Sequence, residues 1–301
     1  DVVNCYDSKS FLINDLPGNY PSQVEVVALD SSEYTPGITV LDYESLGFSV
    51  AVDMNGDPVW FADKENFYNS KILASQFLSN GNLVGFGAGR GYEFDLNSEV
   101  IFETGNGYGV HHYIHKTDRG TYFLVDAEVQ DNLCPAECDP SLPSEIPWQG
   151  DRFLEVDSEG AIVWEWNTFD HLTLDEYNPL WIEFYNGNGN FDWTHSNSVY
   201  FDPATNLVYI SIRNLSRITA IDYDSKDIVW NLGNESFMDQ PSFDNDFGFS
   251  HQHSAQITDS GNLFFFDNGR DNFPELSRCL EIEFTDQQNP SLVWEYILPD
   301  S

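Results

Sequence analysis

A single β-propeller is the fold that this sequence predicts, built from six blades of four-stranded antiparallel sheet, with five blades as the alternative count. Three observations carry that reading. A hairpin unit recurs along the chain, each copy carries an aromatic residue at one aligned position, and two-residue alternation dominates while helical periodicity is scarce.

The elements follow in chain order. QVEVVALDSSEYTPGITVLDY near the N-terminus supplies strands that begin the first blade or help to complete a sixth. SVAVDMNGDPVWF (49–61) is the first full copy of an apolar strand, a polar turn and a strand with an aromatic. Its DMNGD turn lacks the twelve-residue spacing and closing Glu of an EF-hand, so it reads as an ordinary hairpin turn. YEFDLNSEVIFE (92–103), RFLEVDSEGAIVWEW (152–166), ITAIDYDSKDIVWNL (218–232) and CLEIEFTDQQNPSLVWEY (279–296) repeat it, aligning Trp60, Phe102, Trp164, Trp230 and Trp294. A second hairpin precedes most copies: LASQFLSNGNLVGFG (73–87), HHYIHKTDRGTYFLVD (111–126), HSNSVYFDPATNLVYISIR (195–213) and HSAQITDSGNLFFFDNG (253–269). Two hairpins make four strands, which is one blade. One domain over residues 1–301 is expected, with insertions at about 129–150 and 167–194 covering one rim.

Composition narrows the function classes. Fifty acidic residues against 12 basic ones give a net charge of −38, which repels nucleic acid and anionic membrane surfaces. With 41% hydrophobic and 15% aromatic residues, the chain has ample material for a packed core. No run of 18 apolar residues occurs, so membrane insertion is not expected, and a first residue of Asp suggests a processed, exported chain, periplasmic or extracellular. Cysteine usage agrees with that compartment. Cys134 and Cys138, in CPAEC, suit a local disulfide, and Cys5 with Cys279 would fasten the N-terminus to the end of the chain. The sequons at Asn214 and Asn234 could carry glycans if the source glycosylates, although two such matches arise easily by chance.

The repeat also aligns a polar set. His112, His195 and His253 each open the first hairpin of a blade, and His112 and His253 both stand eight residues before a turn glycine, Gly120 and Gly261. The same slot holds Leu73 in another blade, so histidine is not required there by the fold. In HSNSVYFDPATNLVYISIR the turn centres near Ala204, nine residues from both His195 and Arg213, so antiparallel pairing sets these two side by side. Three imidazoles and a guanidinium facing one space make an oxyanion site better than a metal site, because the guanidinium repels a cation. No metal and no cofactor are therefore expected. His111, His115, His171 and His251 read as surface or supporting residues by alternation, and His251 in HQH is the one best placed to overturn that reading.

At these motifs the sequence resembles the nucleotide-independent bacterial arylsulfotransferases. DWTHSNSV with YISIRNLSRITAIDY is similar to that family's His and Arg blade, and FSHQHSAQITDSGNLFFFDNG is similar to its QHxA blade. HHYIHKTDRGTYFLVD is similar to its HH blade, with Tyr113 and an Asp-Arg-Gly turn where the family usually has HHD and Pro-Asn-Gly. The resemblance implies transfer of a sulfuryl group between phenols through a sulfohistidine. It implies His253 as nucleophile, Arg213 and His195 as ligands of the sulfuryl oxygens, and His112 as a phenol-binding or proton-shuttling residue. Asn197 and the rim aromatics Trp193 and Trp181 are expected to bind substrate, with Trp148, Phe184 and Tyr185 able to stack an aryl group or pack a lid. The expected partners are a small aryl sulfate and a phenol, and a homo-oligomer or polymer is left open. The competing expectation is a non-catalytic secreted propeller that serves as a surface, adhesive or filament subunit.

Overall fold

Polar turns with one repeated hydrogen-bond pattern build the blades. In the computed structural model, which describes residue 16 and residues 36–43, 47–233, 240–243, 245, 247–284 and 289–298, three Asp side chains close hairpins alike. Asp53 accepts from the amides of Asn55 (2.8 Å) and Asp57 (3.0 Å), Asp95 from Asn97 (2.8 Å) and Glu99 (2.9 Å), and Asp157 from Glu159 and Ala161 (both 2.9 Å). The fourth residue of each turn, Gly56, Ser98 or Gly160, is left-handed, which is where glycine is favoured. The Asp53 carboxylate of DMNGD thus serves the backbone of an ordinary turn.

The chain divides into two compact units, residues 1–103 and 104–301. In the first, β1 (Thr39–Tyr43), β2 (Phe48–Val52) and β3 (Pro58–Phe61) form one antiparallel sheet. A second sheet has β4 (Leu73–Phe77), β5 (Leu83–Gly87), β6 (Arg90–Phe94) and β7 (Val100–Glu103) in sequential order. Phe48, Val50, Phe67, Ile72, Leu83, Tyr92 and Phe94 are buried in the core of this unit. The repeated aromatic is a staple here, since Trp60 Nε1 donates to the Leu96 carbonyl at 2.8 Å.

The second unit holds three sheets. The first runs β8 (Val110–Lys116), β9 (Tyr122–Leu133), β10 (Glu145–Val156) and β11 (Ile162–Asn167). After β11 come α1 (Thr168–His171), α2 (Pro179–Phe184) and the two-residue β12 (Phe191–Asp192), which pairs parallel to β10. The next sheet is β13 (Ser196–Asp202), β14 (Leu207–Ile212), β15 (Arg217–Asp222) and β16 (Ile228–Gly233). The last is β17 (His253–Ile257), β18 (Leu263–Asp267), β19 (Arg278–Phe284) and β20 (Pro290–Ile297). Phe123, Val125, Trp164, Val199, Phe201 and Ile210 belong to one buried cluster, and Tyr209, Trp230, Phe249, Phe265 and Leu280 to another. Trp164 Nε1 donates to the Tyr223 carbonyl at 2.8 Å and repeats the staple of Trp60.

The fold is an all-β propeller with five blades among the described residues, which corrects the count of six. ITVLDY contributes β1 to the first sheet and adds no separate blade. Both insertions contain more order than a loop. The first is an extension of the β9–β10 hairpin, in which residues pair out to Leu133 and Glu145. Its tip is closed by the Cys134–Cys138 disulfide and by the Cys134 amide on the Ser144 carbonyl (2.9 Å). Cys5 and Asn234 lie outside the described residues, and Cys279 has no disulfide partner among the described residues. Asn214 is fully buried and donates from Nδ2 to the Asp192 carbonyl at 2.7 Å. A glycan cannot reach that amide in the folded protein, so the expectation at this sequon is corrected.

Candidate functional site

Each histidine-bearing blade of the second unit begins with a bulge. Register shifts between Val110 and Ile114 in β8, between Ser196 and Ser198 in β13, and between His253 and Gln256 in β17. At or beside these bulges His112, His195, His251 and Ser254 take left-handed backbone, with φ of 59°, 46°, 54° and 57°. Such conformations are uncommon for residues with a Cβ and cluster where a side chain must be aimed against the pleat. The β13–β14 ladder ends on the pair Ser196 and Ile212, so the next residues outward are His195 and Arg213.

His253 has a fixed tautomer. Its Nδ1 lies 3.0 Å from the His251 carbonyl and 2.8 Å from Asn268 Oδ1. A carbonyl oxygen only accepts, so Nδ1 carries the hydrogen and Nε2 keeps its lone pair. Burial lowers the pKa of this imidazole; the bonds to Asn268 and His251 resist that, and the charges of Arg213 and His195 add to it. A neutral ring with a bare Nε2 is the form a nucleophile needs.

His112 is joined to His111 through facing Nδ1 atoms 2.7 Å apart, and His111 Nε2 reaches Asp151 Oδ1 at 3.0 Å. Asp151 is fully buried on β10, where its other oxygen accepts from Thr194 Oγ1 (2.5 Å) and the Ser196 amide (2.7 Å). Gly150 permits this placement: a Cβ there would lie 2.6 Å from Thr168 Oγ1, which accepts from the Asp151 amide at 3.0 Å. Burial opposes a charge on His111, but the hydrogen bond and charge of Asp151 prevail and raise its pKa. The pKa of His112 falls to about 3, through burial first and then the positive charges of His111, His195 and His253. His195 packs edge-on against His112, ring centres 4.7 Å apart, and its Nδ1 bonds the Asp192 carboxylate. The parallel pairing of β12 with β10, Gln149 opposite Asp192, holds that carboxylate in place.

Arg213 completes the cationic side. Its guanidinium lies 5.0 Å from the centre of the Trp181 ring and donates from Nη1 to Asn214 Oδ1 at 2.7 Å. The Arg270 guanidinium lies over the same indole at 5.1 Å. Burial and the like charge of Arg270 lower the Arg213 pKa, with Asp192 and Asp271 opposing. His251 is fully buried, holds Asp271 through Nε2 at 3.1 Å, and packs against Trp181 with ring centres 5.6 Å apart. Burial brings its pKa down to about 4.

The structure therefore brings His112, His195, His253 and Arg213 together, and adds His111, His251, Asp151 and Asp192. His111 and His251 were expected at the surface or in support; left-handed backbone at His112 and His251 breaks the alternation on which that expectation stood. Asn197 is buried, and its Nδ2 donates to the Gln252 carbonyl at 2.6 Å. Trp193 is 1% exposed, its indole donating to the Glu176 carbonyl at 2.7 Å and packing on Trp148 and Phe169, so it anchors the insertion from inside the core. Trp148 is buried as well, whereas Trp181 is only partly buried. His115 packs between Tyr113 and Tyr200, and His171 stacks on Trp166. Among the described residues, His251 Nδ1, Ser196 Oγ, Asn197 Oδ1 and Gln252 Oε1 are buried without a hydrogen-bond partner, and all four belong to the stretches that carry the site histidines. Among the described residues no group of three or more His, Cys, Asp and Glu side chains is placed to hold a metal ion.

Comparisons with known proteins bear on the fold and the family. One solved structure, a protein of unknown function from Bacteroides caccae, is 7% identical with a TM-score of 0.51, covering 87% of this chain and 73% of that one. A luciferin-regenerating enzyme (11% identity, TM-score 0.47, 84% and 70% coverage) and a streptogramin B lyase (12%, 0.44, 87% and 66%) are more distant. The first likeness bears on the fold alone. No curated protein matches the chain. The model of the arylsulfotransferase (ASST) family matches residues 23–298, and the chain belongs to that family.

Proposed function

We propose that this protein is an exported arylsulfotransferase that moves a sulfuryl group from a phenolic sulfate to a second phenol through a sulfohistidine at His253. The observation that carries the reading is the His253 tautomer: Nδ1–H committed to the His251 carbonyl and Asn268, Nε2 bare, and Arg213 with His195 close enough to depress its pKa. In the first half-reaction the Nε2 lone pair forms the N–S bond as the S–O(aryl) bond breaks. The bonding pair leaves on the aryl oxygen, which takes a proton delivered through His112. Arg213 and His195 bind the sulfuryl oxygens, where fixed donors stabilise the spread negative charge. In the second half-reaction the acceptor oxygen attacks sulfur, its proton passes to His112, and the N–S pair returns to Nε2. Trp181, partly buried beneath Arg213, is the aryl-stacking residue at the rim. The Cys134–Cys138 disulfide supports an oxidising, extracytoplasmic location.

The test is release of phenol from an aryl sulfate only when a phenolic acceptor is present, with mass spectrometry of the protein trapped without acceptor. Sulfation at His253 and loss of turnover by at least about a thousandfold in His253→Ala are expected. Absence of both across a panel of donors defeats the reading, and ordered polymers of the inactive protein in electron microscopy would favour the competing role as a surface or filament subunit.

A further inference from the structure

Adjacent residues of a strand point to opposite faces, yet the rings of His111 and His112 stand 5.0 Å apart and meet through their Nδ1 atoms at 2.7 Å. The left-handed backbone of His112 turns the second ring back onto the first. Two nitrogens at that distance require one hydrogen between them. Behind them the chain of contacts continues to His111 Nε2, the buried Asp151 carboxylate, Thr194 Oγ1 and the Ser196 amide. With Nδ1 committed, Nε2 is the one nitrogen of His112 that can meet a substrate.

We propose that Asp151 and His111 form a proton relay behind His112: as the aryl oxygen departs, His112 gives it the Nε2 proton and takes the shared proton from His111 onto Nδ1. This deepens the sulfuryl-transfer reading and rests on it. The S–O(aryl) pair stays on the oxygen, which leaves as a phenol, and the imidazolium charge of His111 is discharged beside Asp151. When the acceptor phenol attacks, its proton enters His112 at Nε2 and the Nδ1 proton returns to His111, so a full cycle consumes no proton. His112 by itself is too weak a base to store a proton near neutrality, with a pKa brought down to about 3, whereas Asp151 raises that of His111. Other charged and titratable groups facing the pair are Asp126 and Asp192, which favour the proton on His111, and His195 and His253, which disfavour it on His112. His111 and Asp151 are positioning residues in this scheme, since His112 is the group that touches the leaving oxygen.

The experiment measures kcat/KM of the wild type and of His111→Ala over a series of aryl sulfates, from acidic nitrophenol to weakly acidic alkylphenol leaving groups, with and without added imidazole. The variant should lose on the order of 100-fold on the alkylphenol sulfates, far less on the nitrophenol sulfates, and recover part of the loss with imidazole. An equal loss across the series, unrescued, overturns the relay. Nitrogen NMR of isotopically labelled imidazoles judges it apart from turnover: His112 should be a neutral Nε2–H ring in the wild type and a tautomer mixture in His111→Ala. A wild type inactive on every donor defeats the sulfuryl-transfer reading, while a His112 tautomer unchanged by the substitution defeats the relay.

Discussion

At the scale of single residues, this unit buries imidazoles that are better proton acceptors when unfolded. Burial holds His112 at about 3 and His115 and His251 at about 4, and lowers His253 and His171. An unfolded imidazole titrates near 6.5, so between about pH 6.5 and 4 the unfolded chain binds more protons and stability falls with acid. His111 works the other way, contributing stability below the unfolded pKa that is lost as pH rises through its raised value. His115 isolates the effect because it lies among Tyr113 and Tyr200, away from the reacting groups. His115→Asn should remove roughly 2–3 kcal/mol of the stability difference between pH 7 and pH 4, measured by urea unfolding at both. An unchanged difference would mean that His115 is protonated in the fold. His112, His195, His253 and Arg213 were legible because a repeat brings equal slots to equal places. His111 and His251 were not, since left-handed histidines reverse the parity of a strand and, unlike glycine, leave no mark in the sequence.

At the scale of elements, the aligned aromatics announced the blades because each outer strand needs a large side chain to close its hydrophobic layer. Their environments diverge. Trp164 is 4% exposed and staples the Tyr223 carbonyl, whereas Trp294, in the same repeat position on β20, is 46% exposed. Trp164→Phe loses a buried hydrogen bond and leaves a cavity, for an expected cost of about 1–3 kcal/mol. Trp294→Phe should cost less than about 0.5 kcal/mol. Equal costs in denaturant unfolding would show that repeat position, not burial, sets the contribution. The insertions resisted reading for a different reason. Asp192 stands only three residues before His195, but its place is set by the parallel pairing of β12 with β10, Gln149 opposite Asp192 some forty residues apart in the chain, and no local pattern marks that pairing.

At the scale of the whole molecule, the acidic balance and the cationic site act over different distances. The net charge of −38 belongs to a chain whose site holds the guanidinium groups of Arg213 and Arg270, beside His111, whose pKa Asp151 raises. Several surplus arginines are spent on structure: Arg152 pairs with Asp126, Arg217 with Glu176 and Arg278 with Asp267, each on the third strand of its sheet. The long-range field seen by an approaching sulfate ester is therefore repulsive, and only within a few ångströms do the site cations attract it. Salt separates the two ranges, because the screening length shrinks from about 30 Å at 0.01 M to about 10 Å at 0.1 M while contacts inside the site are little affected. The kcat/KM for an anionic aryl sulfate should then rise with ionic strength over this range, by up to about tenfold, while that for a neutral phenol acceptor stays level. The measurement is steady-state kinetics with each substrate varied in turn. A fall with salt for the donor would mean that the local cations govern approach as well as binding, and would relocate the recognition step from the site to its mouth, where Arg270 is exposed.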